Sequence, residues 1–192
     1  MLILVRHGRT AANAAGQLQG RLDQPLDDLG ERQALAVAAH VGAVDEVISS
    51  PLLRARQTAE AFGRPVQIDE RWIEIAYGKY EGMPHGDVPS EVWEYWRTDA
   101  TFVPEGGESA ATVDERVRQA CDELVERIGD RDIVVVSHVS PMKSAVAWTL
   151  GVDFGIAWRT HLSHAAVCRI EIRPHGPVLF SFNERAPLTP MC

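Results

Sequence analysis

Residues 2–10, Leu2-Ile3-Leu4-Val5-Arg6-His7-Gly8-Arg9-Thr10, decide the fold. Four consecutive apolar residues suit a strand buried on both faces, since a half-exposed strand would alternate apolar with polar. Arg6 and His7 end the run, so the strand delivers polar side chains at its carboxyl end. Outward from there, strand-length apolar runs alternate with stretches of helical spacing. Asp28 to Val41 is helical, Val44 to Ile48 is a short strand, and Ser49-Ser50-Pro51 opens a helix through about Phe62, with Ser50 as cap and Pro51 at the first helical position. Val66 to Ile68 makes another strand. Ser109 to Ile128 is an amphipathic helix closed by Gly129, Ile133 to Val136 is a second buried strand, and Ser140-Pro141 opens the next helix. Ala166 to Ile172 and Val178 to Phe182 form a terminal strand pair around a turn at Pro174-His175-Gly176-Pro177. The alternation predicts an α/β fold.

The 192 residues, 45% of them apolar, fit one domain with a substantial core. Residues 69–108 interrupt the alternation: rich in glycine, proline and aromatics, they hold one short helix at Glu91 to Arg97 and read as a lid-like excursion over the site. A net charge of -8 opposes binding to nucleic acid or to an anionic membrane, so a bound anion must meet a local cluster of positive charge. Cys121, Cys168 and Cys192 show none of the paired spacings of disulfide scaffolds or zinc sites, which fits a reducing compartment. The opening Met1-Leu2-Ile3-Leu4-Val5 is too short for a signal-peptide core, and no apolar run reaches the roughly 18–20 residues that span a bilayer. The expectation is a soluble, cytoplasmic protein.

Three places share one arrangement, a strand end followed by a polar residue where the chain turns toward a helix. They are Arg6-His7-Gly8-Arg9-Thr10, Ser49-Ser50-Pro51-Leu52-Leu53-Arg54 and Val136-Ser137-His138-Val139-Ser140-Pro141. In α/β sheets, ligand sites gather at the carboxyl ends of strands. Gly8 is expected to let the backbone approach a ligand, Arg6 and Arg9 to offer cationic forks, and Arg54 to reach over its helix start toward the same edge. Two histidines and several arginines on three strand ends imply a bound anion.

These residues resemble the histidine phosphatase superfamily, also called the phosphoglycerate-mutase-like family. Leu4 to Asn13 is similar to its nucleophile signature, Gln19-Gly20 through Leu29-Gly30 to the segment that follows, and Ser49 to Ala59 to its second arginine block. Ile73-Glu74 with Gly78 and Glu81-Gly82 resembles the block supplying the proton donor, Pro104 to Ser109 a further block, and Ser137-His138 the last. The resemblance implies a three-layer α/β/α sandwich around a central, mostly parallel sheet. It also implies a phosphatase acting on a small-molecule phosphomonoester through a phosphohistidine on His7, with Arg6, Arg54 and His138 holding phosphoryl oxygens and Glu74 as proton donor. Asn13 and Gln19 stand as pocket donors or, equally, as a helix-start cap and a polar turn residue; Glu81 is the reserve acid, ahead of Asp69 and Glu70. Where the family usually has glycine, Val139 stands, its N–H expected in the phosphate floor and its β-branched side chain narrowing it. The scheme needs no cofactor and no metal. Like charge from a phosphate dianion favours a protonated carboxyl, which predicts an acidic preference, and a homodimer fits the family.

Three alternatives remain at this stage. A phosphoglycerate mutase-type phosphotransferase needs extra segments around the site, for which the short chain leaves little room, although residues 83–105 could still form a partial lid. A non-catalytic phosphate-ligand binding protein would not need His7, Arg6, Arg54, Glu74 and His138 together. A zinc site at His161 and His164 has helical spacing but no acidic partner motif. Trp72, Tyr77, Tyr80, Trp93, Tyr95 and Trp96 either wall the pocket mouth or fill core, and His85, Arg97 and Lys79 are candidates for a second anionic group.

Overall fold

The computed structural model describes residues 1–188. In chain order it forms β1 (Leu2–Arg6), α1 (Ala11–Ala14), α2 (Asp28–Val41), β2 (Glu46–Ser49), α3 (Leu53–Glu60), β3 (Val66–Ile68), α4 (Ser90–Thr98), α5 (Ala110–Ile128), β4 (Ile133–Ser137), α6 (Val139–Leu150), β5 (Ala166–Arg173) and β6 (Gly176–Arg185). Short 3-10 turns stand at Glu70–Trp72, Gly78–Tyr80, His85–Asp87 and Phe154–Arg159.

The six strands make one sheet in the order β3-β2-β4-β1-β5-β6. The first four run parallel, while β5 and β6 join antiparallel. Successive side chains of a strand point to opposite faces, and the two apolar runs split accordingly. Leu2, Leu4, Ile133 and Val135 share a core with Val113 and Leu124 of α5 and Met142 of α6. Ile3, Val5, Val134 and Val136 meet Val37 of α2 and Ala55 and Ala59 of α3 on the opposite face. Helices therefore cover both sides of the sheet, which is the three-layer α/β sandwich expected from the sequence. Each fully buried Val, Leu or Ile contributes about 1.5–3 kcal/mol relative to exposure, so the unbroken apolar runs of β1 and β4 anchor the centre of the sheet.

Helix starts differ from expectation in two places. The helix after β2 begins at Leu53 with Leu52 as N-cap and no side-chain cap, so Pro51 precedes it and Arg54 is its second residue. The Ser50 hydroxyl is the reason: it is turned to His138 Nε2 at 2.7 Å, with the Leu52 N–H at 3.3 Å. Helix α6 begins at Val139, with His138 as N-cap. Pro141 then lies in the first turn, where its missing N–H has no intrahelical partner to lose. The terminal turn shrinks to Pro174-His175, since Arg173 already pairs with Gly176. Pro177 is tolerated because β6 is an edge strand.

The excursion carries its own apolar cluster, in which Val88, Val92 and Trp96 pack on Leu18. Trp72 is absent from it and lies fully buried in the main core beside α5, so it does not wall a pocket mouth. Cys121 and Cys168 are buried and unpaired, whereas Cys192 lies outside the described residues.

Candidate active site

Backbone pairing continues one residue past the strand ends: the His7 N–H donates to Ser137 O and the Ser50 N–H to Val136 O, each at 3.0 Å. Because β4 lies between β2 and β1, this stitching sets the three strand-end loops side by side at the carboxyl edge. There they border a cavity of about 460 Å³, walled at its base by Arg6, His7, Arg54 and Glu74.

His7 is 3% exposed. Its Nδ1 lies 2.6 Å from Gly8 O, a pure acceptor, so Nδ1 carries the proton and Nε2 keeps the lone pair. That lone pair accepts from Arg54 Nε at 3.2 Å. Burial, then the Arg54 and Arg6 charges, hold the imidazole well below its usual range, so the ring is neutral. A neutral imidazole with a fixed tautomer is a competent nucleophile.

The other Arg54 nitrogens donate to Leu22 O at 2.9 Å and Gly20 O at 2.7 Å. Arg6 Nη1 donates to Leu162 O at 2.6 Å, while its Nε is buried without a partner. Burial lowers both guanidinium groups to about 10, leaving them cations at neutral pH. Gln19 Oε1 accepts from Thr10 Oγ1 at 2.9 Å and Asn13 Nδ2 at 3.3 Å, which leaves Gln19 Nε2 buried and unpaired. Asn13 also completes a capping box with Thr10, so it serves both as helix cap and as cavity wall. Two orphan buried donors in a cavity of cations are what an oxyanion would satisfy.

His138 is fully buried beside His7, with ring centroids 5.0 Å apart, and its Nδ1 has no partner. Burial and the Arg54 charge hold it neutral as well. Glu74 reaches across to the start of α6. Its Oε1 accepts the N–H groups of Ile75 at 2.9 Å and Ser140 at 3.2 Å, and its Oε2 accepts that of Val139 at 3.1 Å. The Val139 N–H is thus taken by a carboxylate, contrary to its expected place in a phosphate floor. The physical reason is that α6 has no side-chain cap from His138, and its free N–H groups recruit the nearest anion.

Further expectations are corrected. Arg9 donates through Nε to Asp27 at 2.7 Å and does not line the cavity. Gly8 is required by packing against protein: a Cβ there would collide with the backbone of Gly30. Lys79 pairs with Glu105 and Arg97 with Glu94, both at the surface. Tyr77, Trp93 and His85 line the cavity, Tyr80 and Trp96 fill the cluster under the excursion, and half-exposed Tyr95 stacks on Phe102. Glu81 accepts the Arg21 and Tyr77 N–H groups through Oε1 and does not line the cavity.

His161 and His164 both line the cavity but follow the Phe154–Arg159 turn in irregular chain, so the shared helical face assumed for a zinc site does not exist. Sequence reasoning missed Lys143, Phe154 and Trp158, which also line it. Only Lys143 left a signal, as the lone charge in Val139-Ser140-Pro141-Met142-Lys143-Ser144-Ala145-Val146, a helix with no carboxylate to balance it.

The chain belongs to the histidine phosphatase superfamily (branch 1), whose family model matches residues 2–185. It is 34% identical over 192 residues to phosphoserine phosphatase 1 of Hydrogenobacter thermophilus, covering 95% of this chain and 91% of that one. It is 38% identical over 167 residues to glucosyl-3-phosphoglycerate phosphatase of Mycolicibacterium vanbaalenii, covering 78% and 74%. A solved phosphoserine phosphatase of Entamoeba histolytica in complex with 3-phosphoglyceric acid superposes with a TM-score of 0.88 at 30% identity, covering 95% and 96%. Against the first curated relatives, mycobacterial proteins at 32% identity, the chain spans about half their length. Among the described residues, no helix is long and apolar enough to cross a membrane.

Proposed function

We propose that the protein is a phosphomonoesterase that hydrolyses a small organic phosphate through a phosphohistidine on His7. The carrying observation is the His7 ring itself, a cavity-lining imidazole with Nδ1–H on Gly8 O and its Nε2 lone pair on Arg54 Nε, a donor that passes to a phosphoryl oxygen as Nε2 turns to phosphorus. Nε2 attacks phosphorus in line with the departing ester oxygen, and the N–P bond forms as the P–O bond breaks. Arg6 and Arg54, with His138 beside the nucleophile, hold the phosphoryl oxygens, and Gln19 Nε2 supplies a further donor.

Glu74 gives the leaving alkoxide its proton. Oε1 already accepts two N–H groups and Oε2 one, so Oε2 has the remaining lone pair and is the atom that carries the proton. Left as a carboxylate, the same oxygen deprotonates the water that cleaves the N–P bond, releasing phosphate and restoring His7. Relatives named for phosphoserine and glucosyl-3-phosphoglycerate support a small ester as substrate. An acid-type rate profile, a cytoplasmic home favoured by buried free Cys121 and Cys168, and residues 69–108 as the roof of a single domain belong to the same reading.

The test is a hydrolysis screen over phosphorylated metabolites at several pH values, with rapid quenching in alkali to capture phosphohistidine. Turnover, with label on wild-type enzyme and none on His7→Ala, is expected. Undiminished hydrolysis by His7→Ala sinks the reading, and stable phosphoenzyme with interconversion of 2- and 3-phosphoglycerate replaces it with a mutase. A rate that keeps rising from about pH 5 to about pH 9 contradicts the acidic preference alone.

A further inference from the structure

Beyond the reacting centre the cavity holds one more cation, Lys143. Its ammonium is partly buried, donates to Ala157 O at 2.6 Å and makes no ion pair among the described residues. An ammonium has three donors, so two of them are left for another partner. The two guanidinium groups match the two charges of a phosphate dianion, and Glu74 is neutral in the state that gives the leaving oxygen its proton. In that state Lys143 has no counter-charge when phosphate is bound.

Its position follows from α6. Glu74 sits on the N–H groups of Val139 and Ser140, so the ester oxygen that receives its proton lies at the start of that helix. Lys143 is three to four residues further on, about 4.5–6 Å along the axis, and helical side chains lean back toward the N-terminus. A long side chain there meets the leaving group two or three bonds beyond its ester oxygen. The neighbouring His164 is no substitute cation, since burial and the Arg6 charge push it down to about 4. Burial and Arg6 also push the Lys143 ammonium below its ordinary range, a strain that an anion between the two would relieve.

Resting on the phosphomonoesterase reading, we infer that Lys143 is the specificity-determining residue of this cavity and that the leaving group carries a second anionic group, of the carboxylate type, bound by its ammonium. The substrate class is then a phosphorylated hydroxy acid.

The matched probes are 3-phosphoglycerate and glycerol 3-phosphate, which differ by a carboxylate in place of a hydroxymethyl group. The readout is the ratio of their kcat/KM values, in which any misfolded fraction cancels. Wild-type enzyme is expected to favour 3-phosphoglycerate, and in Lys143→Gln, which keeps a donor for Ala157 O, that ratio falls about 10- to 100-fold, as for loss of a charged hydrogen bond. Lys143→Arg retains most of the preference. A wild-type ratio below one, or the same ratio in Lys143→Gln as in wild type, overturns the assignment while leaving the phosphatase reading intact; an equal loss on both probes makes Lys143 a phosphate ligand and also overturns it. Folded wild-type enzyme that turns over no phosphoester in the screen fails the phosphatase reading itself, and the assignment with it.

Discussion

Replacing Glu74 with glutamine separates two jobs that one carboxylate performs. In the structure its oxygens accept three backbone N–H groups, from Ile75, Val139 and Ser140, and the last two open α6, which has no side-chain cap of its own. An amide keeps one acceptor oxygen, enough for the Ile75 and Ser140 donors, and turns an NH2 against the Val139 N–H. One charge-assisted hydrogen bond is lost, about 1.5–3 kcal/mol, and the anion leaves the positive end of the helix, a further 0.3–1 kcal/mol or so. Glu74→Gln is thus expected to lose about 2–4 kcal/mol, read as a lower urea midpoint at unchanged m-value. The same variant has no acid or base at Oε2. With p-nitrophenyl phosphate, whose leaving group needs no proton, His7 should still be phosphorylated, giving a burst equal to the enzyme present, followed by turnover slowed about 10²- to 10⁴-fold. Stability within about 0.5 kcal/mol of wild type would refute the capping role, and wild-type turnover without a burst would refute the role in hydrolysis.

Other outcomes follow from single contacts. Ser50→Ala strips His138 Nε2 of its partner while Nδ1 already lacks one, and should cost about 1–3 kcal/mol in a denaturation curve, with a fall in kcat as the ring beside His7 loosens. Gly8→Ala drives a methyl group into the Gly30 backbone and should cost at least about 1–3 kcal/mol, with activity lost through displacement of His7. His7 and His138 are held well below 6.5 and His164 at about 4, so all three fold neutral. Below the unfolded histidine value the unfolded chain binds more protons, and stability should fall as pH drops below about 6.5, measurable as urea midpoints across that range. For the same reason, kcat/KM should show no acid limb between about pH 7.5 and pH 5.5 beyond the substrate's own second phosphate ionisation at about 6; a further enzyme inflection at about 6.5, seen after the substrate's is subtracted, would contradict a neutral, buried nucleophile.

The sheet's centre was legible because β1 and β4 consist of unbroken apolar residues, a pattern only a doubly covered strand uses. The convergence of His7, Arg54 and His138 was legible from their common position after strands. What the sequence hid are partnerships set by tertiary contact. Nothing local to Arg9 says that Asp27, 18 residues on, claims it, and Gly8 looks like a ligand glycine until Gly30 is brought against it. The start of α3 slipped because the Ser50 hydroxyl bonds a histidine 88 residues away at 2.7 Å and meets only the Leu52 N–H, at 3.3 Å, in its own turn. Phe154 and Trp158 of the cavity wall were invisible, and His161 and His164 registered only as a pair on an assumed helix, since a 3-10 turn followed by irregular chain has no apolar period to read.

Arg54 is tied by its terminal nitrogens to the carbonyls of Gly20 and Leu22 and by its third donor to His7. The segment around residue 21 is therefore mechanically continuous with the nucleophile. Exchanging that segment to broaden substrate range would detune the imidazole unless both carbonyls return to their present places. Residues that wall the cavity without holding the guanidinium, such as Trp93 and Phe154, are where redesign can proceed while the chemistry stays in register.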